Sequence, residues 1–235
     1  MKKQNNILPE GLVNFMQVRK SLVEAMQRLK QESIEMAELT LEHIKEAFNA
    51  FQTGDHLVAE SIMKKDDLVD QYEEKIAKHA LKVIWREQPV ASDLRLVTGI
   101  LKMITDIERI GDHAADIAYM TTFLNGQMNQ KIAPVAKEIM DNLESMYLMT
   151  IQALEMNNEA LAQKVIEADE AVNKGYKKAL KLVTDLIKKE EIDAETAVHT
   201  LMILKYLEKV GDHAGNIAEW IIFTLTGIHK TTELY

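Results

Sequence analysis

The chain predicts an all-α protein, six long helices forming two similar three-helix bundles related by an internal pseudo-two-fold repeat. Three observations carry this. Its 235 residues include only 9 Gly, 3 Pro and 6% aromatics, and are rich in Leu, Ala, Glu, Lys and Met, a helix-forming composition. Apolar residues recur with a period near 3.6, and no segment alternates in the manner of a strand. Finally, the segment Asp106-Ile-Glu-Arg-Ile-Gly-Asp-His-Ala-Ala-Asp-Ile-Ala118 returns as Tyr206-Leu-Glu-Lys-Val-Gly-Asp-His-Ala-Gly-Asn-Ile-Ala218, a constant offset of 100 from Glu108 to Glu208.

Phe15, Val18, Leu22, Met26 and Leu29 open the first helix, which continues through Ile34, Met36, Leu41, Ile44, Ala47 and Phe51 for about 35 residues. Gly54 stops it, and Asp55 is placed to cap the second. That helix runs to about Trp85 through Ile62, Val69, Ile76 and Val83, with Trp85 expected in the core. Pro89 ends it, and Ser92 is expected to cap the third, which carries the first repeated motif and stops near Leu124 before Asn125-Gly126.

Pro134 opens the fourth helix, and Asn157-Asn158 turns the chain into the fifth, Glu159 to about Lys189. Here Ala168-Asp-Glu-Ala-Val-Asn173 echoes Lys65-Asp-Asp-Leu-Val-Asp70 at an offset of 103. The sixth helix holds the second motif, with Trp220 expected in the core. Two halves follow, residues 1–126 and 127–235. Short connections make each half up-down-up, and the third helices of the halves should pair, with Gly111, Ala114, Ala115, Gly211, Ala214 and Gly215 small enough for a close crossing.

Glu108, Asp112 and Asp116 are spaced i, i+4, i+8, which on a helix makes one slanted column with steps of roughly 6 Å. Val97, Leu101, Ile104, Gly111 and Ala115 lie on or beside the same ridge, so the carboxylates border the core stripe. Glu208, Asp212 and Asn216 repeat the arrangement. Like charges at this spacing oppose the helix by about 0.2–0.5 kcal/mol per pair, and partial burial raises that, so each column needs compensation. Arg109 and Lys209 supply part of it; a bound cation or a solvated, salt-bridged face would supply the rest. Oxygen ligands without sulfur suit Mg, Mn, Fe or Zn ions, with His113 and His213 as candidate additional ligands.

Other chemistry is excluded by what the chain lacks. With no Cys there is no disulfide, thiolate zinc site or thiol nucleophile, which fits a reducing compartment. A net charge of −9 argues against nucleic acid and makes attraction to a membrane surface weak. No run of 18 apolar residues or apolar leader is present, so a cytoplasmic protein without direct membrane insertion is expected. No His follows a Glu at i+3 as a di-iron bundle requires, and there is no phosphate loop, nucleophile elbow or kinase signature. Arg95, opening the third helix, is expected to pair with a nearby acid.

Gln88-Pro-Val-Ala-Ser-Asp-Leu-Arg95, the motif from Glu108 to Ala118 and its copy from Glu208 to Ala218 together resemble the PhoU family of phosphate-transport regulators, with weaker similarity over nearly the whole chain. The resemblance implies two three-helix bundles and metal ions, commonly iron or zinc clusters, on Glu108, Asp112, Asp116, Glu208 and Asp212, with Asn216 a neutral ligand at best. It implies a non-enzymatic, homodimeric adaptor that damps phosphate uptake and starvation signalling. Such an adaptor contacts the ATPase subunit of the phosphate ABC transporter and a sensor histidine kinase, and reaches the inner face of the membrane through these partners. A helical scaffold without functional metal and a metal-dependent enzyme are the competing readings.

Overall fold

The computed structural model describes residues 10–229, with side chains from Arg19 onward. Six helices fill it: α1 Glu10–Thr53, α2 His56–Glu87, α3 Ser92–Thr121, α4 Ala133–Met156, α5 Glu159–Lys188 and α6 Ala194–Thr226. The first is 44 residues long, more than expected, because its start lies ahead of the first clear apolar period. Phe15 and Val18 are outside the residues whose side chains are described.

The helix starts follow from local chemistry. Asp55 accepts hydrogen bonds from the Leu57 and Val58 amides at 3.0 and 3.1 Å, Asn158 from Leu161 at 3.0 Å and Asp193 from Thr196 at 2.9 Å. Gly54, at φ +69°, is required twice over, since a Cβ there would meet the Gly126 carbonyl oxygen at 2.4 Å where the α1–α2 turn rests on the loop after α3. Ser92 does not cap α3. The Ala91 carbonyl already accepts from the Arg95 amide at 3.0 Å, so Ser92 is the first residue inside the helix, and Ala91 caps with φ 48° and ψ −115° and no side-chain bond. A non-glycine residue in that conformation stores about 1–3 kcal/mol.

Helices α1, α2 and α3 pack on one another, as do α4, α5 and α6; between the bundles α3 lies along α6 and α1 along α4. Ile100, Met103, Ile104, Ile107 and Ile110 of α3 are all fully buried, each contributing about 1.5–3 kcal/mol of apolar burial. On α6 their place is taken by Ile203, Leu204, Leu207 and Val210. The α1–α4 contact is tied by a buried hydrogen bond of 2.8 Å between Thr40 Oγ1 and the Tyr147 hydroxyl, while Thr40 also donates to the Ala37 carbonyl.

The α3–α6 pairing is antiparallel: Gly99 meets Thr224, Asp106 meets His213, and Phe123 stacks on His199. The close approach is at Gly99, where a Cβ would stand 2.3 Å from Thr224 Cγ2. It is not at the glycines of the repeated motif. A Cβ on Gly111 would meet Val69 of α2 at 2.9 Å, and one on Gly211 would meet Asp169 and Val172 of α5 at 3.2 and 3.3 Å. These glycines let α2 and α5 approach the acidic columns inside their own bundles.

Two further expectations are corrected. Trp85 is 79% exposed, because α2 has turned its core face toward Val83 and Ala80 and the indole projects from the opposite side. Arg95 forms no ion pair among the described residues; its side chain packs along Gly227 at the end of α6, and its Nε is buried without a partner. Trp220 is partly buried against the core, as expected.

Candidate metal centre

Positioned by the α2–α3 contact, the column on α3 faces a second set of acids. Asp70, Glu108 and Asp112 bring one carboxylate oxygen each to within 4.8 Å of one another. Asp66, one turn earlier on α2, feels Asp112, Asp70, Asp67 and Asp116, so the cluster spans both helices. Glu108 is the most enclosed of the column, and its Oε2 is buried without a hydrogen-bond donor. Desolvation first, and then Asp112, raises the Glu108 carboxyl to about 6. Burial followed by the neighbouring carboxylates likewise lifts Asp66 to about 6.

Among the described residues one cation answers the cluster. Arg109 donates to Asp112 Oδ2 at 2.8 Å and lies 3.5 Å from Glu108. Asp116 departs from the set: its Oδ2 lies 3.3 Å from His113 Nδ1, turned toward α6. The donor chemistry fits a hard cation, with three converging carboxylates, an orphaned buried oxygen and two carboxyls whose protons are held first by burial and then by neighbouring negative charge.

The second cluster is built differently. Asp169 on α5 faces Glu208 and Asp212, and burial followed by those two charges raises its pKa. Asn173 stands where α2 has Asp70, and donates to Asp169 Oδ2 at 2.6 Å. Asn216 stands where α3 has Asp116, and turns to Asp106. Lys209 bonds Asp212, and Lys205 Nζ lies 2.6 Å from Glu208 Oε2, though outside hydrogen-bond geometry. Two lysines and two amides thus stand where the first cluster has Arg109 and two further acids, although Asp169 Oδ1 and Glu208 Oε2 still lack a hydrogen-bond donor.

Both histidines lie on the α3–α6 seam. His213 Nδ1 is 2.8 Å from Asp106 Oδ1, while the His113 ring stacks on Tyr206 at 5.4 Å and lies 5.5 Å from that of His213. The sequence columns therefore supply Glu108 and Asp112 of the first cluster and Glu208 and Asp212 of the second. Asp66, Asp70 and Asp169 supply the rest, and their signal was the echo between α2 and α5.

A family model described as the PhoU domain matches residues 34–121 and again 136–221. The phosphate-specific transport system accessory protein PhoU homolog of Clostridium acetobutylicum is 30% identical over 210 residues, 89% of this chain and 96% of that protein. The corresponding homolog of Pseudomonas aeruginosa is 29% identical over 86% of this chain and 84% of its own length. Among solved structures, the phosphate transport system regulatory protein PhoU from Streptococcus pneumoniae superposes with a TM-score of 0.81 at 25% identity, covering 90% of this chain and all of that one. PhoU from Pseudomonas aeruginosa gives 0.81 at 28% identity, with 87% and 99% covered.

Proposed function

We propose, from the premise that the chain belongs to the PhoU family, that it is an accessory regulator of phosphate transport whose first carboxylate cluster holds a metal ion. The observation that carries the regulatory part is that both family matches fall on the helical halves, and that the relatives spanning most of the chain are named as accessory proteins of the phosphate-specific transport system. As a regulator it lowers phosphate uptake and starvation signalling when phosphate is plentiful. It does so without catalysis, as a cytoplasmic homodimer, by contacts with the ATPase subunit of the phosphate ABC transporter and with a sensor histidine kinase.

The metal part rests on Asp70, Glu108 and Asp112, with Asp66 at hand for a second ion. Iron or zinc fits the family resemblance, and magnesium or manganese also fits the oxygen donors. A cation there would replace the carboxylate repulsion with attraction and clamp α2 to α3, fixing the outer surface of the first bundle for a partner. The lysine-compensated cluster of Asp169, Glu208 and Asp212 holds its ion more weakly.

Cells lacking the chain, grown in ample phosphate, test the whole reading. Raised uptake together with expression of a starvation-induced gene supports it, and restoration by the wild-type chain but not by Asp70→Asn/Glu108→Gln supports the metal part. Unchanged uptake and expression would count against the regulatory role. Unchanged metal content of the purified double variant would count against the centre alone.

A further inference from the structure

We propose that the outer face of the C-terminal half of α2, together with the turn that follows it, is a peripheral docking surface for an anionic lipid bilayer. The proposal goes beyond the regulatory reading and depends on neither the metal centre nor a protein partner.

Lys75, Lys78, Lys82 and Arg86 follow one another at three or four residues, which places them in one stripe along the helix. No acid interrupts the chain between Lys75 and Arg86; Glu74 and Glu87 stand at either end. Beside the stripe, one turn apart, Leu81 is 60% and Trp85 79% exposed. Val90, just past the helix end, is 71% exposed in a turn where Gln88 and Ala91 both take positive φ. Lys75 lies 3.3 Å from Glu32 and Lys78 2.6 Å from Glu74, while Lys82 and Arg86 pair with no acid among the described residues. The indole, the leucine and the valine thus stand in water beside two free cations and two shared ones, an apolar patch with a basic rim of the kind that marks contact sites.

The chemistry selects the occupant. Indoles settle at the level of lipid headgroups, aliphatic side chains enter the acyl boundary, and lysine and arginine neutralise anionic headgroups. Lys82 and Arg86 also border a cavity between α1 and α2 that holds Glu24 and Glu87, whereas Leu81 and Trp85 lie outside its lining and meet solvent directly. Charge also selects orientation. The chain carries −9 overall, so an anionic surface repels the molecule at large and attracts it here.

Comparison of the repeats shows that the fold does not require this surface. At the offset of 103 relating α2 to α5, Ile76 and Val83 correspond to Ala179 and Leu186, all buried. On the outside, Lys75 and Lys78 correspond to Lys178 and Lys181, but Leu81 becomes Thr184, Lys82 becomes Asp185 and Trp85 becomes Lys188. On α5 the exposed apolar residues beside the lysines are Leu180 and Ile187, at 42% and 39% against 60% and 79% for Leu81 and Trp85, and no indole stands among them.

Flotation of the full chain with vesicles of equal parts phosphatidylcholine and phosphatidylglycerol, against phosphatidylcholine alone, tests this. Binding to the anionic vesicles only, weakening with added salt, is expected. Lys78→Glu/Lys82→Glu/Arg86→Glu should lose about fivefold or more per cation, and Leu81→Ala/Trp85→Ala should also release the chain. The matching α5 variant, Lys177→Glu/Lys178→Glu/Lys181→Glu, should bind as wild type does. Absence of wild-type binding, equal binding to both vesicles, or equal losses in the α2 and α5 variants would overturn the proposal. All substituted side chains in the α2 variants are exposed, and the wild-type salt dependence needs no variant at all.

Discussion

His213 of α6 reaches across the seam to Asp106 of α3, with Nδ1 2.8 Å from Oδ1, and the same oxygen accepts from Asn216 Nδ2 at 3.1 Å. At the pseudo-symmetric position the acid is replaced, and His113 stacks on Tyr206. The two bundles are therefore fastened near the middle of the seam by a polar contact and an aromatic one side by side, the two imidazoles 5.5 Å apart. Asp106→Ala should destabilise the protein by about 1–2 kcal/mol, and a double-mutant cycle with His213→Ala should show coupling near 1 kcal/mol. Denaturant unfolding measures both; strict additivity would remove the contact from the seam's energetics.

The raised carboxyls of Asp66 and Glu108 make a signed statement about pH. Each holds its proton more tightly folded than unfolded, so their penalty is absent below about pH 4 and grows as pH rises through about 6. In metal-free protein, Asp66→Asn should therefore be stabilising at pH 7.5 by about 1 kcal/mol once solvent screening of a half-exposed group is allowed for, and neutral at pH 4. Thermal melts of wild type and variant across that range decide it. An effect of constant size would mean that the charge on Asp66 is not what separates them.

Metal should reveal the inequality of the clusters. Adding Zn²⁺ or Mn²⁺ to stripped protein should raise the melting temperature, and Asp70→Asn should lower affinity by tenfold or more, on the order of the loss of one charged ligand. Asp169→Asn should change the tighter binding event little. Calorimetric titration separates the two, and equal effects of the two substitutions would contradict the difference in compensation.

Gly99 sets the spacing of α3 and α6. Gly99→Ala would drive a methyl into Thr224 Cγ2, and because a β-branched side chain on a helix has little rotamer freedom, about 1–3 kcal/mol of strain should follow. Thr224→Ala in the same chain should recover most of it. Lack of rescue would place the strain elsewhere.

Tyr147 lies wholly buried, with its hydroxyl on Thr40. Tyr147→Phe keeps the ring and removes one bond, so a loss of about 1 kcal/mol is expected, detectable as a shifted denaturation midpoint at unchanged slope.

Much of this architecture was legible in one dimension because helical periodicity is local. The column Glu108, Asp112, Asp116 and its copy are visible from spacing alone, and the cap at Asp55 from an acid placed directly after Gly54. What faces the column was not, since periodicity names a face but not the register of the neighbouring helix. Asp66 and Asp70 meet α3 only because Gly111 admits Val69. Trp85 was misplaced for a related reason: a large aromatic near a helix end is read as core unless the face opposite Ala80 and Val83 is counted out. Gly99 gave no signal, its partner Thr224 being 125 residues away.

The antiparallel seam also bears on ancestry. Two identical halves meeting about a true two-fold axis must present the same residue at both ends of their contact. Once joined in one polypeptide they are released from that rule, and Asp106 can differ from Tyr206, Asp70 from Asn173 and Asp116 from Asn216. One chain holding both halves can therefore carry clusters of unequal charge, the first answered by Arg109 and the second by two lysines and an asparagine.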